Sequence, residues 1–69
     1  MNEANKGGPI GRKIAERRAS LGITQAELAN RVGSAQEHIS RLESGVYVPR
    51  INLLKKLADV FECKIEDLI

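Results

Sequence analysis

Residues 24–45, TQAELANRVGSAQEHISRLESG, constrain the fold of this chain more than any other stretch. Thr24-Gln25-Ala26-Glu27 is a capping-box pattern, which starts a helix by satisfying amide groups that its first turn leaves without partners. Leu28, Ala29 and Val32 then fall on one helical face, and Gly33 can adopt the positive φ of a sharp turn. A second capping-box pattern, Ser34-Ala35-Gln36-Glu37, opens another short run that ends at Gly45. The spacing predicts two short helices joined by a tight turn. In the second, Ile39 and Leu42 look inward, while Glu37, Arg41 and Ser44 follow i, i+4, i+7 and look outward together.

The flanking sequence predicts the rest of an all-α domain. Residues 1–8, MNEANKGG, lack apolar periodicity and read as a flexible tail, leaving 9–69 as the folded domain. Pro9 suits a first helical position, and Ile10, Ile14, Ala15 and Leu21 form a stripe that stops at Gly22. After a loop holding Pro49, Ile51, Leu54, Leu57, Ala58 and Phe61 form the stripe of a further helix. Ile65, Leu68 and Ile69 suggest a last turn or short fifth helix. Arg18 lies on the first apolar stripe, and Glu43, four residues after Ile39, lies on an inward face. Charges in such places need partners, and these two are the natural pair for each other.

Composition narrows the function. A chain of 69 residues has room for one small domain, and a lone Cys63 rules out an internal disulfide. Helix packing or dimerisation must supply the stability. The unpaired cysteine fits a reducing cytoplasm, and neither a membrane span nor a signal peptide is legible. Net charge is only +2, but it is unevenly spread: Arg12, Lys13, Arg17 and Arg18 lie early, whereas Glu62, Glu66 and Asp67 lie late. Tyr47 and Phe61 are the only aromatics of their kind, which disfavours single-strand or RNA binding on stacking platforms.

No catalytic constellation is visible. His38 is the only histidine and has no nucleophile placed near it by spacing; it reads as an exposed flank residue. Cys63 reads as a small, semi-buried apolar residue, and one His with one Cys makes no zinc site. No metal or cofactor is expected. A short helix held against a partner, with long polar side chains facing out, suits the DNA major groove. Arg41 matches guanine O6 and N7, and Gln36 matches adenine N6 and N7. Glu37 could accept from cytosine N4 or complete the cap at Ser34.

These residues carry a family resemblance. Leu21-Gly22, the run Thr24 through Ala29, Gly33, Gln36, Ile39-Ser40, Leu42-Glu43, Gly45, Pro49 and Leu57-Ala58 make an ordered set. Over residues 10–68 the chain resembles the phage repressor/Cro-type helix-turn-helix domains, also called the XRE family. The resemblance implies a compact five-helix, lambda-repressor-like bundle that regulates transcription as a homodimer on a near-palindromic double-stranded DNA operator. It implies that Gln25 clamps phosphate, that Gln36 reads adenine, and that Glu37 and Arg41 take the next two base-facing positions. Arg18 and Glu43 match the family's buried ion pair, and Ser44 and the loop through Arg50 fall where the family touches phosphate. Two departures stand out. Ala35 replaces the usual capping Ser or Thr of the third helix, which would shift the cap to Ser34, and Arg50 and Lys64 replace polar caps before the last two elements. The acidic end leaves a polymerase or a toxin open as a further partner, as for a controller protein or antitoxin.

Overall fold

A computed structural model describes residues 8–69. The expected tail therefore lies outside the described residues apart from Gly8, which is the first residue of α1. Four α-helices follow in order, α1 (Gly8–Leu21), α2 (Gln25–Val32), α3 (Gln36–Ser44) and α4 (Ile51–Phe61), and no strand occurs among the described residues. The expected fifth helix is a single 3-10 turn, Ile65–Asp67. Its three residues are too few for a full α-helical turn, and Asp67 closes it by accepting the Lys64 amide at 3.0 Å.

The core collects the inward residues of every element: Ile14 from α1, Leu28, Ala29 and Val32 from α2, Ile39 and Leu42 from α3, and Leu54, Leu57, Ala58 and Phe61 from α4. Burial of these apolar side chains is the main stabilising term in so small a domain. Two residues of the expected helical stripes are exposed instead. Leu21 is 47% exposed and Ile51 is 54% exposed. Gly22 turns the chain at φ +73°, which leaves Leu21 outside, and Ile23 is buried in its stead. Ile51 begins α4 one turn before Leu54, the first covered residue of that stripe. Near the C-terminal end, Leu68 is fully buried, and Val60 and Ile65 pack against the core.

The turn between α2 and α3 forms as the glycine spacing requires. Gly33 sits at φ +70°, and the Ser34 amide donates to the Ala29 carbonyl at 2.8 Å. The two capping patterns behave differently. Thr24 Oγ1 accepts the Glu27 amide at 3.0 Å, so α2 is capped. The Glu27 carboxylate does not complete the box; it approaches Arg31 at 3.8 Å on the helix surface. At α3 the expected shift of the cap to Ser34 does not occur. Ala35 is the N-cap, with no side-chain bond, and Ser34 Oγ pairs instead with His38 Nδ1 at 2.8 Å.

Candidate nucleic-acid interface

The inner side of α3 is bolted to α1. Arg18 Nε donates to Glu43 Oε2 at 2.6 Å and Nη2 to Glu43 Oε1 at 3.2 Å, a fork matched to the two carboxylate oxygens. Arg18 Nη1 donates to the Ile23 carbonyl at 2.8 Å, which ties in the connection between α1 and α2. The Glu43 side chain is 7% exposed and that of Arg18 is 20% exposed, so the pair is only partly buried. Hydrogen bonding to Glu43, with its charge, holds the Arg18 guanidinium above its already high ordinary pKa, against an opposing cost of burial. Gly11 makes a second fastening. A Cβ there would collide with the Leu42 carbonyl oxygen and stand 3.0 Å from that of Glu43. The absence of a side chain lets the backbone of α1 lie against the last turn of α3.

The outer side presents the residues expected to face DNA. Gln36, Glu37 and Arg41 are all exposed, and they line one open hollow together with Ser40 and Gln25 from the start of α2. One of the Gln25 amide N–H groups is already engaged, since Nε2 donates to Glu43 Oε1 at 3.0 Å. That bond fixes Gln25 to the same carboxylate that anchors α3. Glu37 makes no cap with Ser34, which removes one of its two expected roles.

The other expected phosphate contacts lie elsewhere. Ser44 is exposed, but its hydroxyl donates to the Arg41 carbonyl at 2.9 Å; giving that proton to a phosphate would require breaking the bond. Arg50 occupies the N-cap position of α4, makes no side-chain cap bond, and lines a separate hollow with Asn52 and Lys56.

A small cluster that sequence spacing did not mark lines the Arg50 hollow as well. The His38 ring stacks on Tyr47, with centroids 5.2 Å apart and planes at 21°. The Tyr47 hydroxyl donates to the His38 carbonyl at 3.5 Å, and Ser34 holds the imidazole from the other side. Burial pushes the Tyr47 phenol above its ordinary pKa, while the positive charge of Arg41 opposes the rise. The only sequence cue was a lone tyrosine in the loop after α3.

This arrangement has the form of a transcriptional regulator's DNA-binding domain: two short helices around a glycine turn, the second clamped from behind and polar in front. The chain belongs to the XRE-type helix-turn-helix family, whose profile matches residues 14–68. It is 50% identical over 56 residues, covering 81% of this chain and 80% of the other, to an uncharacterized HTH-type transcriptional regulator of Archaeoglobus fulgidus. It is 36% identical over 56 residues, 81% of this chain and 85% of the other, to the uncharacterized HTH-type transcriptional regulator YgzD of Bacillus subtilis. It is also 32% identical over 59 residues, 86% of this chain and 53% of the other, to the cryptic phage CTXphi transcriptional repressor RstR of Vibrio cholerae. The family consists of non-enzymatic DNA-binding regulators. Among the described residues no helix is long and apolar enough to cross a membrane.

Proposed function

We propose that the protein is a cytoplasmic, homodimeric repressor that reads a near-palindromic operator through α3. The observation that carries this reading is the shared hollow of Gln25, Gln36, Glu37 and Arg41, set on a helix whose opposite side is fastened to α1. Gln36 and Arg41 present the bidentate chemistry that adenine and guanine edges accept, and Glu37 can accept from cytosine N4. Gln25, the first-turn amides of α2, Ser44 and Arg50 would position the domain on phosphates. Repression is steric: a dimer over a promoter excludes polymerase, and protein concentration sets occupancy. The similarity to a named phage repressor supports the sign of regulation. The exposed apolar side chains of Ile51 and Ile69 offer surface for a second copy.

The test is selection of bound duplexes from a random pool, followed by sedimentation of the complex. Two inverted half-sites with centres about one DNA turn apart, roughly 34 Å, bound by two chains, is the expected result. If Lys and Arg side chains of a dimer neutralise about six phosphates between them, the slope of log K against log salt is about −5. An asymmetric site bound by one chain, or no enriched sequence, would overturn the proposal.

A further inference from the structure

The outer side of α3 has an apolar lobe as well as a polar one. Glu37 and Arg41 line the polar hollow and also a second hollow, completed by Ala35, His38, Val46 and Tyr47. Val46 is 51% exposed and is not part of the core. A half-exposed valine beside two charged side chains stabilises little, yet its position is firmly set. Its amide donates to the Arg41 carbonyl at 3.3 Å, across the left-handed turn made by Gly45 at φ +82°. The next residue, Tyr47, is stacked on His38 of α3 itself. The valine is therefore presented by a backbone tied to the recognition helix at two points.

We propose that Val46 is a specificity-determining residue that seats the 5-methyl group of a thymine beside the base pair read by Arg41. The inference rests on the reading of α3 as the base-reading helix. In the major groove the thymine methyl is the apolar group that a base edge shows, and small apolar side chains recognise it by contact. The two hollows share Arg41 and Glu37, so a duplex held by Arg41 on the polar side borders Val46 on the other. Ala35 at the opposite rim adds a methyl and no competing polar group.

The experiment replaces each thymine of the selected operator in turn by uracil, which removes only the methyl, and compares the wild type with Val46→Ala and Val46→Thr. The wild type should lose about fourfold in affinity at one thymine of each half-site, the worth of burying one methyl. Val46→Ala should bind the thymine and uracil forms alike there, and Val46→Thr, which keeps a methyl, should retain the discrimination. Equal binding of all uracil forms by the wild type overturns the inference, as does an undiminished methyl effect in Val46→Ala or a selected site without thymine. Weaker self-association of Val46→Ala with no methyl effect would assign the valine to a dimer contact and overturn it too. If Arg41→Ala still relaxes a base preference while the methyl has no effect, this inference fails alone; if the pool yields no enriched sequence, the reading of α3 fails with it.

Discussion

The two sides of α3 are built on opposite terms. Toward α1 the contacts are directional and crowded: a forked ion pair, a third bond from Arg18 to a carbonyl, and a glycine where no Cβ fits. Toward solvent, Gln36, Glu37 and Arg41 have no side-chain partner among the described residues and share an open hollow. The difference separates two tasks. The inner side fixes where the helix stands, and the outer side leaves its hydrogen-bonding groups open to solvent. Changes on the inner side should register in stability, and changes on the outer side in DNA affinity.

The largest stability effect should come from Arg18→Met. It leaves the Glu43 carboxylate nearly buried with only the Gln25 amide as partner, at a cost of about 3 kcal/mol. Glu43→Leu should cost less, because the Arg18 side chain is more exposed and keeps its bond to Ile23. The double change should recover much of the loss. Thermal denaturation of the three variants reads this directly. A melting temperature unmoved by Arg18→Met would show that the pair fastens nothing.

Next in size is Gly11→Ala. Alanine gains about 1 kcal/mol in helix propensity, but its methyl would meet backbone carbonyls that cannot swing aside. Overpacking of this kind costs roughly 1–3 kcal/mol, so the net change in a urea titration should be destabilising. A stabilised variant would mean that α1 and α3 separate freely.

The helix starts give a smaller contrast. Thr24→Ala should cost about 1 kcal/mol, because its hydroxyl caps α2. Ser34→Ala should fall within about 0.5 kcal/mol, because its hydroxyl serves His38 on the surface and caps nothing. Equal losses in chemical denaturation would erase the difference between the two helix starts.

That contrast also shows what sequence could reveal. Both starts carry the same Ser/Thr-x-x-Glu pattern, and only the first forms a side-chain cap. The pattern specifies a possible bond, while the turn geometry at Gly33 decides where the hydroxyl goes. The inward faces of α2 and α3 were legible because period and glycine spacing agree, and Arg18 with Glu43 was legible because two opposite charges on apolar stripes leave few other solutions. Gly11 was silent, since a close backbone approach depends on the crossing of two helices distant in sequence. Leu21 and Ile23 exchanged roles because periodicity does not carry through the turn at Gly22. Glu62 ends α4 in the left-handed region at φ +54°, a place where sequence cues lead one to look for glycine. The Tyr47–His38 stack and the outward Val46 depend on how the loop folds back on α3, and neither lies on a helical stripe.

The smallest effect concerns pH. Burial raises the native pKa of Tyr47, so the folded state favours the neutral phenol. Its contribution is fully present below the unfolded value near 10 and is lost as pH rises through the native one. Wild type should therefore lose stability slightly faster than Tyr47→Phe when both are titrated above about pH 10. Parallel curves would place Tyr47 in solvent.

The division of labour on α3 is tested most directly by the ratio of specific to non-specific DNA affinity, measured for Arg41→Ala and Gln25→Ala with melting temperatures alongside. Arg41→Ala should keep its melting temperature, lose about 1–3 kcal/mol on the selected operator and much less on random duplex, so that the ratio collapses. Gln25→Ala should weaken both kinds of DNA nearly alike and leave the ratio intact. An unchanged ratio in Arg41→Ala, or a collapsed one in Gln25→Ala, would contradict α3 as the helix that reads bases.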